Sequence, residues 1–370
     1  MKKLRTGIIG CGKVADMHAN AYMKIDQSDF TAVCDINCDN TKYFVEKYGV
    51  KAYSDVAAMV KEEGLDAVSV CTPHPIHADV TCQALSCGCN VITEKPLASS
   101  LGDCDRMINT AKANHVQLAT MVQRRFYPPA QRIKKAIEKG ELGGKPIIGL
   151  VQMIGWRDEA YYNSNAWRGT WKGEGGGVLV NQAVHQLDML LWFMNSDVDT
   201  VYGVWKNYNH PYIEVEDSAI ATILFKNGAM ASIVATNSVN PALYGNVHVF
   251  GSNGTAAGIQ TDGSQMFIAG MTTIEYSPYN DIWTVPGYPS IAEMKAADEE
   301  EFFREDPVMH YHQVSINDFL QAVSNGQKPM ADGLAGRKAV ELFQAIYECT
   351  NTGMPVKFPM DKEDVRLCAI

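Results

Sequence analysis

An apolar run over residues 4–9 that ends in Gly10-Cys11-Gly12-Lys13-Val14-Ala15 constrains this chain more than any other feature. A glycine pair directly after an extended run forces a tight turn, and Ala15 is small enough for the next helix to lie close to the strand. The free N–H groups at that helix start, with the positive end of its dipole, suit a pyrophosphate. Glycine turns also arise for purely local reasons, so placement matters. This one occupies the first strand-to-helix turn, and Asp35 follows the second apolar run, 30–34, at 23 residues beyond Gly12. A carboxylate there accepts from ribose hydroxyls and repels a 2′-phosphate, which favours NAD(H) over NADP(H). Asn37 adds no charge for a phosphate. Gly10, Cys11, Gly12, Lys13, Val14 and Asp35 are therefore the expected dinucleotide contacts.

The rest of the first 125 residues alternates in the same way. Strand patterns at 67–72, 90–93 and 117–122 are separated by helix patterns at 40–48, 77–86 and 103–114. Repeated βα units make a parallel, doubly wound sheet with helices on both faces. After Tyr127-Pro128-Pro129 the pattern changes. A helix over 130–139 precedes strand-like segments at 146–154, 201–208, 219–225, 229–237 and 247–250, with hairpin signals at Lys226-Asn227-Gly228 and Ser252-Asn253-Gly254. One strongly apolar helix over 178–194 interrupts them. The predicted architecture is an α/β N-terminal Rossmann domain, 1–125, and an α+β C-terminal domain, 126–370, with a large, mainly antiparallel open sheet. The acidic stretch 293–306 reads as solvated, 310–324 and 334–349 as closing helices, and 355–359 as a tail.

Composition excludes several function classes. The 370 residues carry 32 Lys and Arg against 42 Asp and Glu, a net charge of −10 with no dense basic patch, so no nucleic-acid partner is expected. No uninterrupted apolar run reaches membrane-spanning length. Met1-Lys2-Lys3-Leu4-Arg5 has the charge of a secretory leader, but Gly7, Gly10, Gly12 and Lys13 cut the apolar stretch behind it, so the expected location is the cytoplasm. The ten cysteines include no CxxC and read as reduced, buried thiols. No metal site is expected. His310-Tyr311-His312 and His74-Pro75-Ile76-His77 lack an HExxH context, and residues two apart on a helix diverge. A GxSxG nucleophile elbow is also missing.

Two segments offer reacting groups. Lys95, in Glu94-Lys95-Pro96, follows the fourth strand-like run at the edge where open parallel sheets bind ligands; an ordinary surface lysine is the competing reading. Asn181, His185 and Asp188 recur at helical spacing among Leu179, Val180, Ala183, Val184 and Leu187. A polar stripe on a buried helix must meet partners or a cavity; a satisfied structural histidine is the alternative. Tyr161, Tyr162, Trp167 and Trp171 cluster before the glycine run, as core or as a surface for a sugar ring.

In order and spacing, Gly10 to Ala15, Cys71-Thr72-Pro73-His74-Pro75-Ile76-His77, Glu94-Lys95-Pro96, Trp167-Arg168, Gly175-Gly176-Gly177 with His185 and Asp188, and Gly336-Arg337-Lys338-Ala339 carry a resemblance. Together they resemble the glucose–fructose oxidoreductase / inositol dehydrogenase (Gfo/Idh/MocA) family over essentially the full length. The resemblance implies that Thr72 and His77 lie near the ribose–nicotinamide region and that Glu94 and Lys95 flank the nicotinamide. It also implies that Lys95 polarises the reacting hydroxyl or carbonyl and that His185 is the acid/base. Many members carry Asp where this chain has Asn181; an amide can orient a hydroxyl but cannot act as a second base. Gln123 and Arg124 after the fifth strand, with Trp167 and Arg168, are expected to contact substrate.

The implied activity is NAD-dependent oxidation of a secondary hydroxyl of a sugar, glycoside or cyclitol. C3 of a glucoside is favoured, because Asn181-Gln182-Ala183-Val184-His185 is similar to the sugar-3-dehydrogenase version of this helix. Inositol or free-aldose oxidation is the alternative within that class, and a third possibility is a reductase or hydrolase that works through a transient 3-keto intermediate with tightly held NAD. The rival from another class is a non-catalytic NAD- and sugar-binding regulator, against which the presence of both Lys95 and His185 argues. The open sheet face predicts a homodimer, or a tetramer or larger assembly built from dimers.

Overall fold

Six short strands with largely buried side chains build the first sheet: β1 (Leu4–Ile9), β2 (Ser28–Cys34), β3 (Lys51–Tyr53), β4 (Ala67–Val70), β5 (Asn90–Thr93) and β6 (Leu118–Thr120). Their order is β3-β2-β1-β4-β5-β6, parallel throughout. The strand order reverses beside β1, so the glycine turn after β1 sits at the switch point where such sheets bind ligands. The computed structural model describes residues 3–262 and 273–360; the Met1-Lys2 start lies outside them.

The helices of this sheet are fixed by their first residues. Asn37, Asp55 and Ser100 each accept a backbone N–H in the first turn of the helix that follows. Lys13–Lys24 has no such side-chain cap, because Gly12 stands at its N-cap. β3 and the helix Val56–Glu63 are absent from the sequence prediction. Three edge residues offer too little alternation to register as a strand.

The division into domains differs from a single boundary at 125/126. Residues up to Gln123 form one compact unit with Asp306–Arg337, and Arg124–Glu305 forms the other with the chain from Lys338 on. The reason is packing. The helix Pro307–Asn325 lies against Lys13–Lys24 and sinks Ile316, Phe319 and Leu320 into the core that holds Ala15, Ala19 and Tyr22. Burying three such side chains contributes about 1.5–3 kcal/mol each.

The second unit carries β7 (Pro146–Ile154), β8 (Val198–Lys206), β9 (Ser218–Phe225), β10 (Met230–Thr236), β11 (Tyr244–Gly251), β12 (Ala256–Asp262) and β13 (Val356–Lys357). They run β12-β11-β7-β10-β9-β8-β13, with β7 and β10 parallel and every other pair antiparallel. β13 is the segment expected as a tail. One face packs on the helix Val184–Met194: a Cβ on Gly149 of β7 would meet Leu190 and Met194 at 2.6 and 3.0 Å. On the strands, exposed positions alternate with these buried ones and include Tyr202, Val204, Ile220, Leu224 and Met230. The acidic stretch is largely exposed, as expected, apart from one inward face of Met294, Asp298 and Phe302. It forms the helix Ile291–Phe302, started by a Ser290/Glu293 capping box, and its Asp298 is buried in a bidentate pair with Arg132 at 2.6 and 2.9 Å.

Candidate active site

In the first unit the dinucleotide signal becomes a cradle. Gly10 has φ +90°, and a Cβ there would lie 2.8 Å from the Thr72 backbone nitrogen, so no other residue fits this crossing of β1 and β4 loops. A Cβ on Gly12 would meet nothing within 4 Å, so open space lies over an uncapped helix start. That is the shape and polarity a pyrophosphate requires. Asp35 stands at the rim, its carboxylate accepting from the N–H groups of Cys11 and Asn37, each at 2.8 Å. The buried Thr72 Oγ1 has no partner among the described residues. An open cradle, a carboxylate at its rim and an orphaned hydroxyl fit a dinucleotide.

His77 is held between two backbone carbonyls. Its two ring nitrogens lie 2.9 Å from the Pro96 carbonyl and 2.8 Å from the Thr72 carbonyl, and burial pushes its imidazole below the ordinary value. It ties the Thr72 loop to the Lys95-Pro96 loop and positions both.

Glu94 is held by residues that sequence reasoning missed. His18 Nε2 lies 3.0 Å from its carboxylate, and His312 Nε2 lies 3.9 Å from it. Burial alone would raise the Glu94 carboxyl, but the His18 hydrogen bond and the charges of His18, His312 and Lys95 outweigh it and hold the group at about 2. His312 is one of the His310/His312 pair that diverge on their helix, and its Nδ1 donates to the Val308 carbonyl at 2.6 Å. His18, Glu94 and His312 each offer a ligand atom within 4.8 Å of the others. This trio unites three distant segments, and no local spacing announces it. Gln123 ends the first unit with its Oε1 buried and unpartnered among the described residues.

The second unit holds His185, and the expected continuous helix is broken beneath it. Val178–Asn181 and Val184–Met194 are separate helices, with a turn at Gln182-Ala183. The start of the first of them is anchored by a distant carboxylate. Buried Glu216 accepts from the N–H groups of Gly177 and Leu179 at 2.8 and 3.0 Å and from the Tyr347 hydroxyl at 2.9 Å. Burial pushes its carboxyl up to about 7, against the pull of those donors. The glycine run makes room for this cap. A Cβ on Gly176, at φ +151°, would lie 2.2 Å from the Tyr347 hydroxyl, and one on Gly177 would lie 1.9 Å from the Glu216 carbonyl.

The stripe then divides by role. Asp188 is consumed by a buried bidentate pair with Arg125 at 2.7 and 2.8 Å. His185 is buried at the start of the second helix, and Asn181 ends the first. Asn181 Nδ2 donates to the Tyr161 hydroxyl at 2.9 Å and to Glu174 Oε1. Arg168 donates to the same tyrosine oxygen, and its guanidinium covers the Tyr161 and Trp167 rings at 4.2 and 4.7 Å. Arg157 covers Tyr161 from 5.0 Å.

The expected contacts are therefore not equivalent. Trp167 and Arg168 belong to the network around Asn181, whereas Arg124 is committed to Asp262 by two bonds at 2.6 and 3.0 Å. Trp171 packs edge-on against Trp205 and Tyr347 as core. Glu174, Arg157 and Glu216 were not predicted. Only Glu174 had a usable signal, its place directly before the glycine run.

Two family models cover most of the chain. Residues 4–122 match the oxidoreductase family with an NAD-binding Rossmann fold, and 134–358 match that family's C-terminal alpha/beta domain. The chain belongs to the Gfo/Idh/MocA oxidoreductase family. It is an NAD-dependent member of this family of sugar and cyclitol dehydrogenases. The myo-inositol 2-dehydrogenase of Thermotoga maritima is 30% identical over 258 residues, 68% of this chain and 74% of that one. The D-glucoside 3-dehydrogenase of Escherichia coli is 28% identical over 258 residues, 64% and 71% of the two chains. The WlbA dehydrogenase from Bordetella pertussis, solved with NADH and UDP-GlcNAcA, superposes with a TM-score of 0.81 at 25% identity over 97% of this dehydrogenase and 100% of that chain. No helix among the described residues is long and apolar enough to cross a membrane.

Proposed function

We propose that this dehydrogenase oxidises a secondary hydroxyl of a sugar or glycoside, at C3 of a glucoside, to the keto sugar. The observation that carries the reading is the Asn181 to His185 segment, in which an amide with both N–H groups engaged ends one helix and an imidazole begins the next. Similarity to the Escherichia coli D-glucoside 3-dehydrogenase supports it.

His185 takes the hydroxyl proton, Lys95 stabilises the oxyanion as it develops, and Asn181 orients the hydroxyl. When bound, NAD supplies the hydride acceptor. Gly10, Cys11, Gly12, Lys13 and Val14 receive its pyrophosphate, and Asp35 its ribose. Thr72 and Glu94 serve the nicotinamide end, with His77 fixing their loops. Gln123, Trp167 and Arg168 contact the sugar, and Arg124 shapes the site through its pair with Asp262.

Similarity to the myo-inositol 2-dehydrogenase supports a second reading, oxidation of a cyclitol. Incubation with NAD and a panel of glucosides, aldoses and inositols separates the two by NADH absorbance and product analysis. Alkyl or aryl glucosides turned over to 3-keto products support the first reading; an inositol preferred more than tenfold overturns it.

A second copy of the chain covers the exposed sheet face in this proposal. Val204 pairs with Ile220, and Leu224, Met230 and Ile148 form one row across three strands, all exposed. A monomer in sedimentation equilibrium would refute that part. The nine described cysteines are all free thiols, which suits a reducing cytoplasm.

A further inference from the structure

Buried carboxylates need partners that justify their desolvation. Glu174 is 1% exposed, and its Oε2 accepts from the Gly169 N–H at 2.7 Å. Its Oε1 accepts from Asn181 Nδ2, whose second hydrogen goes to the Tyr161 hydroxyl. A side-chain amide has two donor hydrogens and one acceptor oxygen. Both hydrogens of Asn181 are directed at these two partners, so it meets any other group as an acceptor only. Flipping the amide would turn its carbonyl oxygen onto the Glu174 carboxylate, and that repulsion holds the orientation.

Tyr161 stiffens the arrangement. Its oxygen also accepts from Gln182 Nε2 at 3.2 Å and from Arg168. Burial, then the Glu174 charge, push its phenol up to about 12 against the pull of Arg168 and Arg157, so the hydroxyl stays neutral.

We propose that Glu174 is a positioning residue that locks the Asn181 amide as a hydrogen-bond acceptor for a substrate hydroxyl. It thereby supplies, one side chain behind, the negative charge that position 181 itself does not carry. This rests on the reading that Asn181 touches substrate.

The test uses E174Q, N181D and the swapped pair E174Q/N181D, with KM, kcat and pH profiles measured on whichever panel sugar the wild type oxidises best. In E174Q an amide replaces the carboxylate, Asn181 is free to flip, and KM for the sugar rises about tenfold while KM for NAD stays unchanged. N181D sets two carboxyl groups in contact, so sugar turnover acquires a new fall with rising pH that the wild type lacks. The swapped pair restores one amide facing one carboxylate, and it removes that fall and recovers the sugar KM to within a few-fold. A sugar KM within twofold of wild type in E174Q, an unchanged pH profile in N181D, or a swapped pair whose losses simply add would each overturn the proposal. Failure of the underlying functional reading shows separately, as a wild type that oxidises no panel sugar.

Discussion

The two units solve the problem of building a site in opposite ways. Around the first sheet the cradle is made of backbone: Gly10 crosses close to Thr72, and Gly12 leaves a helix start open. In the second unit the candidate groups are side chains held by other side chains, with Asn181 on Glu174 and Tyr161, and Asp188 on Arg125. Backbone sites are written in short contiguous motifs, because a turn needs only a few residues. Side-chain sites are written in pairs whose sequence separation bears no relation to their distance in space.

The largest expected effect falls on the side-chain half. H185A lowers kcat by about 10²–10⁴-fold, the usual worth of a positioned acid/base group, with NAD affinity nearly unchanged. Steady-state kinetics alongside NAD titration check both values, and turnover within a few-fold of wild type would remove His185 from the chemistry.

Glycine substitutions sharpen the contrast. G176A drives a Cβ onto the Tyr347 hydroxyl at a strained φ, so it costs about 2–4 kcal/mol of stability. G12A meets only open space in the protein, so its stability stays within about 0.5 kcal/mol while NAD affinity falls about tenfold, or about 1.4 kcal/mol. Denaturant unfolding and NAD titration of the two variants separate a steric glycine from a ligand-facing one.

A pH-dependent effect, at most comparable to that of G176A, concerns Glu216. Its carboxyl is raised by burial to about 7, above the unfolded value near 4.3, so its contribution is intact below that value and is lost as pH climbs through about 7. The difference in unfolding free energy between wild type and E216Q therefore changes between about pH 4.5 and 7, by at most about 1.4 kcal/mol per pH unit. A difference independent of pH would show that the cap donors hold Glu216 ionised.

What was legible in the sequence follows the same division. The parallel order of the first sheet, the glycine turn and Asp35 are local or periodic, and they stand where the pattern puts them. So does the apolar character of the helices bearing Asn181 and His185. The break between those helices was not legible, since Gln182-Ala183 suits a helix, and neither was the cap that Glu216 provides to the first of them from some 30 residues onward. Nor was the return of residues 306–337 to the first unit. Its helix is amphipathic like any surface helix, and only packing on Lys13–Lys24 decides which core it joins. Glu94 was legible as a neighbour of Lys95, whose charge does act on it, but not as a partner of His18 and His312.

The deciding question is which carbon gives up its hydride. A glucoside carrying deuterium at C3 should yield deuterated NADH and a 3-keto product that has lost the label. Reduced cofactor that contains only protium, with the deuterium kept in the sugar, would contradict oxidation at C3.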